Sequence, residues 1–571
     1  MSGEVANSSG EGRAKLGLAL SGGGFRAAFF HIGVLARMAE LGVLRRVEVL
    51  STVSGGSIIG ALYYLHVKEL LETKADSEID DGDYVRIVEA IEADFFEGVE
   101  RNLRARTFSD LKSNFRMSRP DYSRSDRIGE LYDECFYRRF RTDPAERIKM
   151  RDLKVGDFDP ERDNPGRSAK IPILLLNATV LNDGHAWRFE AVRMGEPDRP
   201  EAAGRMDSNL VLRRARYEEM PARQRDFHLG VAVAASACFP AFPPLAISDL
   251  YPEGIRVQLV DGGVYDNQGL QGLHDTACTH IVVSDGGGQM RDEPKAPGAI
   301  LPALLRDSSI QADRIRDAQL LELDLDPSAA VVHLRAGLVG RDVPHLDPAG
   351  NPAPPPPSEE PVHLPFGVHR GVQELLSAVR TDLDCFSEIE ARSLICDAYL
   401  ISGQELPRAR GIAALMTPPE ERAAPPDWSF QALEPQLSDP SPELEKHLKV
   451  ARSRFFKAAM LNPRLWLWFV VPLAALGAIV WLLWEPVITQ HVALGWIFLA
   501  ILALPLAVLL PRLLRSSPPL RDLMRLPEAA VSRTVWMALP FVPWLIVRAQ
   551  LSLFDPSFRK AGAISKLPRR G

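Results

Sequence analysis

The chain has 571 residues, 46% of them hydrophobic, which exceeds one ordinary domain and allows a large buried core. A formal net charge of −7, with no basic arm, zinc-knuckle spacing or aromatic RNA-binding motif, argues against a nucleic-acid partner. Five cysteines, Cys135, Cys238, Cys278, Cys385 and Cys396, show no metal spacing, and their odd number fits reduced core thiols better than a disulfide framework.

Residues 1–14 are small and polar, lack the apolar stretch of a secretory signal, and are expected to be disordered. The apolar run Leu16 to Leu20 reads as a strand and Phe25 to Leu41 as a helix, which places Gly22, Gly23 and Gly24 at a strand-to-helix turn. Backbone N–H groups at such a turn point outward without helical partners. The pattern repeats at once: β-branched Val47 to Val53, then Ser54-Gly-Gly56, then helical spacing from Ile58 to Leu71. Ser54 therefore sits on a sharp strand-to-helix elbow.

Residues 72–170 form a charged insertion with one amphipathic helix, carrying Ile87, Ile91, Phe95 and Val99, and many arginines thereafter, including Arg101, Arg104, Arg116, Arg119 and Arg124. A solvated helical cap is the plainer expectation for it, against a lipid-contacting lid. Strand patterns resume at 171–177, 255–260 and 280–284, and the last two run into Asp261-Gly-Gly263 and Asp285-Gly-Gly-Gly288. Alternating strands and helices predict an α/β class, with the glycine turns at the carboxyl ends of strands. Residues 347–365 read as a proline-rich loop and 405–457 as a linker, which closes a globular region over 15–404.

Residues 458–571 change solvent. Uncharged stretches at 465–484 and 492–510 are each long enough to cross a hydrocarbon core of about 30 Å. Tryptophans near the ends of the first, and Lys or Arg on both flanks but not in the connection 485–491, predict a helical hairpin with both flanks cytoplasmic. Residues 535–547, shorter and interrupted by Pro540 and Pro543, predict an interfacial or re-entrant segment.

Acyl transfer needs a nucleophile, a base and donors aimed at the developing oxyanion. Ser54 is the candidate nucleophile; Gly22, Gly23 and Gly24 offer oxyanion N–H groups, Arg26 fixes that loop or adds positive potential, and Gly55 and Gly56 let backbone approach the serine. Of the two Asp-Gly-Gly turns, Asp261 is favoured as base because polar residues follow it in Tyr265-Asp-Asn-Gln268, whereas Asp285 reads as a structural turn aspartate.

On these blocks, together with the small-residue and proline run Ala234 to Pro244, the chain resembles the patatin-like phospholipases, serine-aspartate dyad lipid acyl hydrolases. The resemblance spans roughly residues 13–401. It implies a three-layer sheet with helices on both faces, Ser54 as nucleophile, Asp261 as base, the Gly22 to Gly24 backbone as oxyanion hole, no metal or cofactor, and a phospholipid or lysophospholipid substrate. One position departs: the family's elbow carries glycine two residues before the serine, and this chain carries Thr52, whose branched side chain should push strand and helix apart. Three other readings stand beside it. A Ser-His-acid triad would recruit His274, His280 or His369, leaving His31 as a packing residue. A dinucleotide site would use Gly22 to Ala27 with Glu48 on the ribose. A decayed membrane scaffold would explain Thr52.

Overall fold

The computed structural model describes residues 13–467 and 547–568, apart from 111–112, 114–115, 118–121, 144, 199–205, 240–241, 291, 297, 341, 353–360 and 423–425. The spans at 468–484 and 492–510, nearly all of 535–547, the tip of the 347–365 loop and Arg119 therefore lie outside the described residues. Among the described residues no helix is long and apolar enough to cross a membrane.

Among the described residues the sheet is mixed and ten-stranded. Five parallel strands run β10–β9–β1–β2–β3, from β10 (Ala329–His333) through β9 (His280–Asp285), β1 (Leu16–Leu20) and β2 (Val47–Val53) to β3 (Ile173–Val180). Antiparallel β4 (Ala186–Phe189), β5 (Arg193–Gly195) and β6 (Ala215–Arg216) extend it beyond β3. Strand β8 (Val257–Asp261) pairs antiparallel with β3 and with β7 (Leu245–Ile247). The parallel strands are mostly apolar because both faces are covered. Leu18, Leu20, Leu50, Leu174 and Leu176 face one side, with α1 (Gly24–Glu40) and α2 (Gly55–Thr73). Ala19, Val49, Leu175, Ile281 and Val283 face the other, with Leu270 and Leu273 of α7 (Leu270–Asp275) and Leu323 of α8 (Ile300–Asp324).

The charged insertion is not a detached cap. Its α3 (Asp81–Glu100), opened by Asp80 accepting the Asp83 N–H at 2.9 Å, turns Ile87, Ile91, Phe95 and Val99 into the main core. Phe95 meets Phe25 and Phe29 of α1 edge-on, with ring centroids 5.6 and 5.0 Å apart. Farther along, α4 (Leu103–Ser109) precedes α5 (Arg124–Tyr132), which packs against α6 (Leu229–Ser236).

The expected linker at 405–457 is likewise corrected. After α9 (Arg370–Ser377) and α10 (Glu388–Arg408), Trp428, Phe430 and Leu437 are buried, and α11 (Pro442–Ala451) buries Leu444, Leu448 and Ala451 in the main core. The prolines misled because they start helices here: Pro442 stands in the first turn behind Ser441, whose hydroxyl accepts the Leu444 N–H. The chain ends on the same body. In α12 (Asp555–Ala561), Phe558 packs with Ala458, Ala459, Leu465 and Phe554, and Asn102 donates to Asp555 at 2.8 Å.

Candidate active site

Strand β3 is the ruler of the site. Its first residues pair parallel with β2, as far as Val53 opposite Asn177; its next residue, Ala178, pairs with Asp261, the last of β8. Two strands thus meet end to end along one edge of β3, and consecutive β3 residues bring Ser54 and Asp261 together. The Ser54 hydroxyl lies close enough to the Asp261 carboxylate to favour its charged form.

Ser54 adopts φ 52° and ψ −117°, a conformation that L-residues rarely take and that turns its side chain out of the sheet at the head of α2. The surrounding glycines permit the approach: a Cβ on Gly55 would stand 2.1 Å from the Gly24 carbonyl oxygen, and one on Gly56 2.2 Å from that of Leu20. The small-residue run sets both partners. Ser236 accepts the Ser54 N–H at 3.1 Å, and the Cys238 carbonyl accepts the Asp261 N–H at 3.0 Å. Pro240 and Ala241 of that run lie outside the described residues.

Thr52 does not push the elbow open. Gly60 on α2 makes room, since a Cβ there would lie 2.5 Å from the Thr52 methyl carbon. The hydroxyl has its own work. Thr52 donates to the Leu175 carbonyl at 3.0 Å, which fixes the direction of a chain in which Ser57 donates to Thr52 (2.9 Å), Ser236 to Ser57 (2.7 Å) and the Ser54 N–H to Ser236. Each hydroxyl of this chain of bonds has its partner, and the Ser54 backbone is tied to β3 through Thr52.

Asp261 is buried. Removal from water raises its carboxyl to about 6, against the opposing pull of the Gly263 N–H (2.8 Å to Oδ1) and the Ser54 hydroxyl. No histidine is among these partners. His369 instead caps α9 by accepting the Gly371 N–H, His280 bonds Thr279 at the far end of β9, and His274 lies in α7. His31, bonded to Ser284 Oγ at 2.6 Å and the Ser21 carbonyl at 2.9 Å, is held down at about 4, chiefly by burial, and is neutral.

Asp285 occupies the corresponding end of β9 and is an ion-pair residue. Burial opposes its charge, but Arg316 at 2.7 Å and His333 outweigh it, holding the carboxyl below its ordinary range. The acidic residue required by a dinucleotide site is also committed elsewhere: Glu48 pairs with Arg13 at 2.6 Å near the start of β2, the end opposite the glycine turn.

The glycine turn divides its labour. The Gly22 N–H is taken by the Asn267 carbonyl at 2.9 Å, and the Phe25 N–H by that of Asp382 at 3.1 Å. Among the described residues, no acceptor takes the N–H of Gly23, Gly24 or Gly55. Gly22 is thus a spacer against Asn267 rather than a donor. Arg26 is a clamp: its guanidinium, buried, donates to the carbonyls of Gly286 (3.2 Å) and Val379 (2.8 Å). Asn267, Ser236, Ser57 and Gly60 escaped the sequence reading. Only Asn267 had a local signal, standing in the polar turn after Asp261.

The family model described as patatin-like phospholipase matches residues 18–274, from β1 to the end of α7. No protein with a curated description matches. Among solved structures, the chain is similar to human GIVD cytosolic phospholipase A2, solved in complex with methyl gamma-linolenyl fluorophosphonate and terbium chloride. That likeness runs at 13% identity and TM-score 0.36, over 70% of this chain and 59% of that one. VipD from Legionella pneumophila is similar at 13% identity and TM-score 0.22, over 44% of this chain and 46% of that one. The chain therefore spans less than two thirds of the length of either. It is residues 18–274, the part of the chain that holds the Ser54 elbow, the glycine turn and Asp261, that match the patatin-like phospholipase family.

Proposed function

We propose that the protein hydrolyses a fatty-acyl ester of a phospholipid or lysophospholipid through a Ser54 acyl-enzyme. The observation that carries this reading is the placing of Ser54 beside a buried Asp261, through consecutive residues of β3, with the Asp261 carboxyl near 6, basic enough to take a proton yet ionised at neutral pH. Ser54 Oγ attacks the ester carbonyl while Asp261 takes its proton. The N–H groups of Gly23, Gly24 and Gly55 receive the oxyanion, a class of interaction typically worth ~3 kcal/mol per donor. Collapse expels the alcohol, protonated by Asp261, and water then cleaves the acyl-enzyme with Asp261 again as base. An apolar rim supports a lipid substrate: Phe239, one residue past Cys238, and Val264 and Tyr265, just past Gly263, are 58%, 50% and 41% exposed. A fluorophosphonate probe should label the wild-type protein covalently and leave Ser54→Ala unlabelled; equal labelling of both removes Ser54 from the nucleophile's place.

We also infer that the protein is anchored in a membrane, with its catalytic domain on the cytoplasmic face. The apolar stretches at 465–484 and 492–510 support it, as does the meeting of Leu465 and Phe558 in one cluster, which starts and ends residues 468–546 on the same patch. An even number of crossings requires that return. The full chain should stay with membranes through alkaline carbonate and leave only in detergent; release by carbonate would exclude the hairpin.

A further inference from the structure

We propose that Asp183, His185 and Glu196 bind one divalent transition ion of the Zn2+ or Mn2+ type, at the turn between β3 and β4. One potential ligand atom from each of the three lies within 4.8 Å of the others. His185 Nδ1 stands 2.9 Å from Glu196 Oε2 and 3.6 Å from Asp183 Oδ1. Two ligands about 2.1 Å from a tetrahedral zinc ion stand roughly 3.4 Å apart, and these separations bracket that value.

The surroundings are arranged as they are around a metal. His185 Nε2 meets Asp207 Oδ2 at 2.7 Å, the carboxylate-to-imidazole contact that sets a ligating ring's tautomer and leaves the Nδ1 lone pair facing the other two groups. Glu196 spends Oε1 on the Leu212 N–H at 2.9 Å, which aims Oε2 inward. Asp183 Oδ1 accepts the His185 N–H at 2.9 Å. Its other oxygen, Oδ2, is shut off from solvent and has no hydrogen-bond partner among the described residues. The Asp183 and Glu196 side chains are each 1% exposed, and two carboxylates buried so close require a compensating charge. A set of one imidazole and two carboxylates suits zinc or manganese better than calcium, which prefers oxygen alone. The ion would pin the β3–β4 turn to Glu196 just past β5, and no step at Ser54 depends on it.

The rival occupant of the same space is a proton on Nδ1, and calorimetry separates the two. Chelator-stripped full-length protein, titrated with zinc chloride or manganese chloride, is expected to bind one ion per chain, with calcium chloride at least tenfold weaker. Glu196→Gln and Asp183→Asn are expected to abolish binding. Asp207→Asn, which keeps all three ligands, is expected to weaken it about 10–100-fold. X-ray absorption of the zinc-loaded protein should show a single imidazole nitrogen among oxygens. Wild-type protein that binds neither ion saturably, or binding that survives Glu196→Gln unchanged, overturns the proposal.

Discussion

Replacing Ser54 with alanine, or Asp261 with asparagine, is expected to slow acyl-ester cleavage by roughly 10^4-fold or more, and the double variant should be no worse than either alone. Non-additivity is the informative part, because a nucleophile and the base that deprotonates it fail together. Fatty-acid release from phospholipid vesicles measures it, and a double variant that loses the product of the two single effects would separate the residues into independent roles. In wild type the rate should fall on the acid side of about 6, where Asp261 takes up a proton. The same burial has a thermodynamic sign. With the folded value above the ordinary 3.8, the contribution of Asp261 to stability is greatest below 3.8 and is lost as pH rises through about 6. Asp261→Asn should therefore stabilise the inactive protein above pH 7, by about 3 kcal/mol at most, and leave it unchanged near pH 4. Urea unfolding at the two pH values tests this, and a variant less stable than wild type at both would contradict it.

Arg380→Leu is expected to cost about 3–5 kcal/mol of stability, because it leaves the buried Glu390 carboxylate without its cation and takes one of three cations from Asp384. Arg380 is fully enclosed: Nε reaches Asp384 at 2.8 Å, Nη1 reaches Glu390 at 2.6 Å and the Ala451 carbonyl at 2.8 Å, and Nη2 reaches the Cys385 carbonyl at 2.9 Å. Lys457 shares Asp384 at 2.7 Å. Burial opposes the charge on Asp384, but Arg380, Lys457 and Arg104 outweigh it and hold the carboxyl below its ordinary range. Its stabilisation is thus present above the ordinary carboxylate value and lost as pH falls through the depressed one. The network also carries the glycine turn, since the Asp382 carbonyl accepts the Phe25 N–H and Asp382 itself pairs with Arg104. Folded Arg380→Leu protein should accordingly react with fluorophosphonate more slowly than wild type. A loss below about 1 kcal/mol would show that the ions are replaceable.

The sequence made the local geometry of the site legible wherever the signal was local. A strand followed by glycines and then a helix announced the Gly22–Gly24 turn and the Ser54 elbow, and a third strand ran directly into Asp261 and its two glycines. Gly22 was drawn into the oxyanion hole by proximity in the chain, yet its partner Asn267 lies about 245 residues away, and the Gly286 and Val379 carbonyls that Arg26 clamps lie about 260 and 353 residues away and carry no local mark. Thr52 looked like an obstacle because its complement, Gly60, is a turn of helix farther on, and because the hydroxyl chain through Ser57 and Ser236 closes only in three dimensions. The segment 405–457 read as a linker because prolines there start helices rather than end them.

That β3 holds Val53 and Asp261 on consecutive residues has a regulatory consequence. The reactive pair sits on one continuous hydrogen-bonded ladder, with no hinge between its members, so their separation cannot be tuned by swinging one part of the molecule against another. In the proposed reaction, control falls on admission: whether an acyl chain reaches the rim at Phe239, Val264 and Tyr265. The pair stays assembled, and what varies is its supply.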